Sequence, residues 1–296
     1  MAYSDTILAD SPVAYWRLQE TSGTNADDAT ANNNDGTFTP NAAGAWTGGT
    51  VGIAGGIAGA GAKAALFNGT TGYVEFVYAT DPTEYTLEAW VQIPVVPTAN
   101  QIIVCRGSSS AGYFILRLKS TGVFEFMPNG SSLITGTTVA VPGVWYHVVG
   151  TAKNSTNAHL YVNGTEEGTP IATGTLSTTP DRYRVGGLGS ATYFSGYITE
   201  AAVYATQLTA ELVAAHYAAR GTVDASANAR ATQVLAEVLK SGPCITRVTQ
   251  VYGEVMENFP TVTYASMVYA EVVVQVLHGC PAARRMLELS EHGAST

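Results

Sequence analysis

The chain has 296 residues and carries 14 Lys and Arg against 23 Asp and Glu, a formal charge of −9 at pH 7. That sign excludes a general phosphate-backbone binder, because no basic surplus is available to displace counterions from nucleic acid. Hydrophobic residues make up 46 % and charged residues only 12 %, with 31 Gly and 16 Tyr, which excludes intrinsic disorder and points to a turn-rich β protein.

The opening, MAYSDTILADSPVAYW, has neither the basic n-region nor the apolar h-region of a secretory signal, and no apolar run is long enough to span a bilayer. Next, NADDATANNNDG concentrates Asp27, Asp28, Asn32, Asn34 and Asp35. Hard oxygens in such density suit Ca²⁺, with Asp28, Asn34 and Asp35 as the candidate ligands, but Asn and Asp are also ordinary turn formers and the turn reading is preferred. The Gly/Ala-rich stretch from Ala45 to Ala65 reads as a long surface connection; its GxxGG spacing lacks the GK[ST] of a phosphate-binding loop.

Strands follow in close succession. In TLEAWVQI, Leu87, Ala89, Val91 and Ile93 point one way and Glu88 and Gln92 the other, although Trp90 spoils a simple polar face. GYFILRLK and VFEFM form a hairpin through Ser120, Thr121 and Gly122; WYHVVGTA and AHLYVNG are split by Lys153 to Asn157, and Asn163-Gly164 is a two-residue turn. With no βαβ alternation, this spacing predicts an antiparallel sandwich or jelly roll. One helix is expected over TAELVAAHYAARG, with Thr209 as N-cap, Gly221 as stop, and Leu212, Ala215, His216 and Ala219 as the face laid on the sandwich.

These segments, in order, match a known pattern. ALFNGTTGYVEF, YTLEAWV, VWYHVVGTA, LYVNG and FSGYITEAAVY closing on AELVAAHYAARG resemble the laminin-G-like, concanavalin A-like jelly roll from about Ile7 to Gly221. The resemblance implies a two-sheet lectin-like sandwich used more for binding than for catalysis, often with one structural Ca²⁺ and no other cofactor. Where that family often reads G-x-I-D-E, this chain has Gly196-Tyr197-Ile198-Thr199-Glu200, so Thr199 removes a potential ligand.

Residues 222–228 read as a linker and 229–296 as a second domain. A 17-residue repeat runs through ARATQVLAEVLK, TRVTQVYGEVME and TYASMVYAEVVV, aligning Glu237, Glu254 and Glu271 and also Val234, Val251 and Val268. We read three equivalent strands, with Pro281 to Glu291 as a short terminal helix. Three short strands bury too little to stand alone, so the valines are expected to line an oligomer interface, with a trimer favoured. The repeats resemble segments of tailed-bacteriophage virion proteins.

Catalysis is not expected. No close-set acidic pattern such as ExDxE is present, and Glu84 and Glu88 lie about 13 Å apart along an extended strand. Glu166-Glu167 reads as solvated charge, His147 as a satisfied core or sheet residue, and Ser195 has no His or Asp partner at an informative spacing. Cys105, Cys244 and Cys280 lack CxxC spacing and read as buried free thiols. The expected protein is an all-β virion structural component made in a host cytoplasm. It would decorate a capsid surface or belong to a tail, contact other virion proteins, and display a lectin-like domain for glycan or host-surface adhesion, without nucleic-acid binding or membrane insertion. The alternative is a free carbohydrate-binding module with a C-terminal oligomerisation segment.

Overall fold

A computed structural model describes residues 3–220 except 40, 43–44, 47–48, 55–62, 79–82, 108–113, 131, 177–181 and 189–191, and beyond them only 267–268 and 271–272. The chain divides into two compact units, Met1–Gly221 and Thr222–Thr296.

In the first unit a helix, α1 (Tyr3–Ala9), precedes β1 (Ala14–Trp16), β2 (Asn25–Ala26) and β3 (Gly36–Thr39). The small ladder of β4 (Asn41–Ala42) and β5 (Ala45–Trp46) leads to β6 (Gly49–Ala54), β7 (Lys63–Asn68) and β8 (Tyr73–Val77). Then come β9 (Glu84–Gln92), β10 (Gln101–Arg106), β11 (Phe114–Leu118), β12 (Val123–Met127) and β13 (Ile134–Val139). They are followed by β14 (Trp145–Lys153), β15 (Asn157–Val162), β16 (Thr165–Ala172), β17 (Arg182–Val185), β18 (Ser195–Tyr204) and α2 (Ala210–Ala219).

Two antiparallel eight-stranded sheets form a jelly-roll sandwich. The first runs β16-β15-β14-β9-β18-β7-β6, with β1 also paired to β18; the second runs β13-β12-β11-β10-β17-β8-β3-β2. Alternation builds the core, as a pleated strand requires. Leu87, Ala89 and Val91 of β9 share one buried core with Leu116, Phe124 and Phe126 of the other sheet. Tyr85 stacks on Phe114 with ring centroids 3.8 Å apart. Gly150 leaves room for the Phe126 ring, into which any Cβ at that position would run.

The expected turns are present. Asn163 and Gly164 both have positive φ, 53° and 76°, which matches the twist of a tight hairpin between β15 and β16. At the β11–β12 turn Gly122 (φ 84°) donates to Lys119 O. Thr209 caps α2, its hydroxyl accepting from Leu212 N at 3.4 Å.

Several expectations need correction. The Gly/Ala-rich stretch from Ala45 to Ala65 is not simply a surface connection: it contains β5, edge strand β6 and the start of β7, because Thr50, Val51 and Ile53 give the backbone enough extended preference to pair with β7. Of the α2 face expected on the sandwich, His216 is buried and Leu212 and Ala219 pack against the helix-covered cluster, but Ala215 is exposed and Val213 is buried instead. Helix α1 carried no periodic signal, being only seven residues long. In the second unit, Met267–Val268 pairs antiparallel with Glu271–Val272, so the third repeat doubles back where a single strand was expected. Val268 lies opposite Glu271 in that ladder; Val234, Val251, the first two repeats and the terminal helix fall outside the described residues.

Candidate functional site

The two outer faces of the sandwich differ. On the first sheet, Trp90, Val149, Tyr161, Ala202 and Tyr204 point away from the core and are buried with Tyr3 and Ile7 of α1 and Val213 of α2. The two helices therefore close this face, and the polar side of β9 expected from its alternation is not solvated.

Beneath the helices lies Glu88, fully buried. Its carboxylate faces His147 Nε2 at 2.7 Å and His216 Nδ1 at 3.0 Å, and accepts from Tyr204 Oη at 3.0 Å and Tyr3 Oη at 3.4 Å. His216 Nε2 meets Asp10 Oδ2 at 2.8 Å, and Trp90 Nε1 donates to Tyr3 Oη at 2.8 Å. An imidazole with a carboxylate at each nitrogen donates from both and is a cation. Burial opposes charge on Glu88, but the His216 charge and the imidazole hydrogen bonds outweigh it and hold the carboxyl well below its ordinary range. Burial likewise opposes the His216 cation, yet the Glu88 charge and the bonds to both carboxylates push its pKa up to about 9. A Glu–His pair of this kind could serve a general base, but no substrate reaches a pair with both side chains at 0 % exposure.

A second buried carboxylate, Glu200, sits where β18 bulges against β9, at φ 52°. It accepts from Tyr15 Oη and from Gln19 Nε2 at 2.8 Å, and pairs with Arg17 at 3.4 Å. Burial dominates here and raises its pKa to about 7.

The outer face of the second sheet bears no helix among the described residues. One cross-strand row runs Thr37, Glu75, Arg184, Cys105, Ile115, Met127, and a second runs Arg117, Glu125, Thr135. Glu75 lies between two guanidinium groups, Arg182 at 3.1 Å and Arg184 at 2.5 Å. Glu125 lies between Arg117 at 2.7 Å and Lys119 at 3.2 Å and accepts from Thr135 Oγ1 at 3.1 Å. Burial works against its charge, but the Arg117 and Lys119 hydrogen bonds win and lower its pKa. The Arg184 guanidinium stands 4.6 Å from the centroid of the Tyr73 ring, a cation–π distance. Ile102, Cys105, Ile115 and Leu188 form a small apolar cluster on the same face. That cluster and Glu125 are buried, so the candidate binding surface on this face is offered by the partly exposed Tyr73, Glu75, Lys119 and Arg182.

The residues singled out in the sequence fall elsewhere. Asp28 Oδ1 accepts from Tyr15 N (2.9 Å) and Thr30 N (3.0 Å), while its Oδ2 accepts from Asn34 N (2.8 Å) and Thr30 Oγ1 (2.7 Å). Asp35 Oδ1 accepts from Asp28 N at 2.9 Å, and Asn34 Nδ2 donates to Val13 O at 2.7 Å. These side chains satisfy the backbone of their own loop, as turn-forming Asx residues do, and tie it to Val13 and Tyr15 at β1. Among the described residues no three His, Cys, Asp or Glu side chains are grouped to hold a metal ion. Thr199 Oγ1 donates to Arg17 O at 2.8 Å, and Ser195 N to Gln101 Oε1 at 3.2 Å. Glu167 is not simply solvated, since it accepts from Thr137 N at 2.7 Å and Thr138 N at 3.0 Å on β13. Cys105 is a free buried thiol, its pKa pushed up to about 12 by burial. The contact of Glu88 with His216 and the two Glu-centred triads were missed. Their one sequence signal is a charged or His residue at an otherwise apolar position, and strand register is needed to see which of them meet.

Comparison with known proteins agrees with this architecture. Residues 68–214 match the family model of the concanavalin A-like lectin/glucanases superfamily. Domain 4 of AbnA, a GH43 extracellular arabinanase from Geobacillus stearothermophilus solved with arabinotriose, superimposes with a TM-score of 0.53 at 21 % identity, over 70 % of this chain and 98 % of that domain. Trypanosoma rangeli sialidase gives a TM-score of 0.52 at 15 % identity over 69 % of this chain; the match spans only 32 % of the sialidase. At these identities the likeness is one of fold. No curated protein sequence matches the chain. The fold is thus shared with parts of glycosidase chains, and the jelly roll, over residues 68–214, belongs to the concanavalin A-like lectin/glucanase superfamily.

Proposed function

We propose that the sandwich is a non-catalytic glycan-binding module and that the outer face of its second sheet is the binding surface. The observation that carries this reading is the asymmetry of the two faces: one is sealed by α1 and α2, and the other keeps Tyr73, Lys119 and Arg182 partly exposed. Sugar hydroxyls are held by charge-assisted hydrogen bonds from such groups, and sugar C–H faces stack on aromatic rings. A hydrolytic role is disfavoured by spacing. Glu75 and Glu125 lie four strand spacings apart, about 19 Å, where glycosidase carboxylates need roughly 5–9.5 Å. Affinity electrophoresis of the full chain against a polysaccharide panel tests the proposal. Retardation by at least one glycan, weakened about tenfold by Tyr73→Ala, is expected, with no reducing ends released; retardation indifferent to that substitution, or none, defeats it.

The 17-residue repeat of 229–274 supports a second proposal about setting: the module is displayed in a homo-oligomer, a trimer by preference, on a bacteriophage particle, as a capsid decoration or a tail adhesin. Gold-labelled antibody against the chain should then mark purified particles.

A further inference from the structure

We propose that Trp145, Gln92 and Tyr197 form a second sugar-binding subsite, at the uncovered margin of the first sheet, which takes one uncharged sugar ring. The proposal rests on the glycan-binding reading above and adds a place and a ligand class that it does not contain. The cover laid by α1 and α2 stops short of the end of that sheet. The cross-strand row His147, Trp90, Thr199 is buried, with Tyr217 of α2 stacked on Trp90 at 5.8 Å. One step further along the same face, the row Trp145, Gln92, Tyr197 is partly exposed. The chain that flanks it is open to solvent: Val144 is 43 % exposed and Val95 63 %.

The row keeps bonding capacity that the fold does not use. Gln92 Nε2 donates to Gly143 O at 2.9 Å, which fixes the amide and leaves Oε1 an acceptor without a partner among the described residues. Trp16 and Trp90 donate through Nε1 to Asn34 O and Tyr3 Oη, but Trp145 Nε1 is buried and unpaired, so no hydrogen bond pins that indole. Strands β14 and β18 flank β9, two strand spacings or about 10 Å apart. The Trp145 and Tyr197 ring centroids are nevertheless only 6.3 Å apart, with the planes at 54°. The rings therefore lean towards each other over Gln92 without stacking, and neither covers the other's face. A sugar ring, with apolar C–H faces and hydroxyls at its rim, matches two amphipathic rings around a fixed amide oxygen. Charge narrows the class. The row lies in the segments 89–105, 126–152 and 185–199, which contain no Asp, Glu, Lys or Arg. An acidic sugar or a phosphate finds no counter-charge there.

Affinity electrophoresis of the full chain in gels containing dextran, laminarin, galactomannan or linear arabinan, all uncharged, tests the subsite. At least one should retard the chain, and equally at low and at physiological ionic strength. Trp145→Ala should weaken that retardation about tenfold and Gln92→Met about fivefold, through a lost aromatic face and a lost hydrogen bond. Gln92→Met keeps the side-chain length at a partly exposed position, so it decides the matter where Trp145→Ala fails to fold. Retardation that weakens with Tyr73→Ala but not with Gln92→Met overturns the subsite and leaves the second-sheet surface standing. Retardation that weakens with Gln92→Met but not with Tyr73→Ala upholds the subsite and removes the second-sheet surface. No retardation by any glycan overturns both. Retardation only by polygalacturonate or dextran sulfate, run in parallel, overturns the assignment to an uncharged sugar.

Discussion

His216 shows how one side chain can hold two helices to a sheet. It joins Asp10, just beyond α1, to Glu88 in β9, from a position in α2. Three shifted groups give the stability a definite pH dependence. His216 is raised, so its contribution is complete below its unfolded pKa near 6.5 and is lost as pH climbs through about 9. Glu88 is lowered, so its contribution is present above the ordinary carboxylate value near 4.5 and fades as pH falls below it. Glu200 is raised, so the fold favours its neutral form, and that advantage disappears as pH rises from 4.5 through about 7. Melting temperature should therefore fall from mildly acidic pH towards pH 9. Glu200→Gln should flatten the part below pH 7 and raise the melting temperature above it by roughly a few degrees, since the amide keeps the bond from Tyr15 without the buried charge. A wild-type melting temperature that climbs steadily to pH 9 would refute this account. In the sequence, His147 and His216 were visible only as lone histidines among apolar residues. The pairing across β14 and β9, which sets His147 opposite Trp90 and diagonal to Glu88, is a matter of register that composition does not carry.

At the scale of elements, the legible parts were those governed by local chemistry. The Asn163-Gly164 turn and the Thr209 cap depend on the φ and hydrogen-bonding capacity of a few adjacent residues, and each is found where its residues placed it. Strand β6 was not legible, because a Gly-rich segment has weak intrinsic preference and is recruited by pairing with β7. The α2 face was legible at Leu212, His216 and Ala219, and missed at Ala215, which is exposed while Val213 is buried beside His216. Glu167 has a role that no local rule announces. It occupies two N–H groups of β13, the edge strand of the second sheet, which would otherwise be free to recruit another chain. Glu167→Ala should cost about 1–2 kcal/mol and raise light scattering on warming, measured by thermal melting with simultaneous turbidity. A variant that melts and scatters like the parent would show that β13 is protected by other means.

At the scale of the molecule, the all-β sandwich and its family were readable from the order of strand motifs, whereas the candidate binding face was not, because its residues come from β3, β8, β10, β11, β12, β13 and β17 and converge only in the folded sheet. Two expectations about the whole chain are open to direct measurement. Residues 1–221, with their own core, should unfold as a single cooperative transition when expressed alone. Chelator should leave that transition unmoved, since the carboxylates of the Asn/Asp loop are engaged by the loop's own donors. A tightly bound Ca²⁺ would instead add about 2.7 kcal/mol at a hundredfold excess over its dissociation constant, which EDTA would remove.

The position of α2 has a mechanical consequence. It is the last described element of the sandwich, and a pull on the chain beyond Gly221 is transmitted along the backbone to its C-terminal end. Peeling residues 205–220 would free a segment about 55 Å long when fully extended. To do so it must tear His216 from Glu88 and Asp10 before β18, hydrogen-bonded on both sides within its sheet, feels the load. The buried ion network thus acts as a fuse in series with the sandwich: it yields first, absorbs the pull and leaves the two sheets intact.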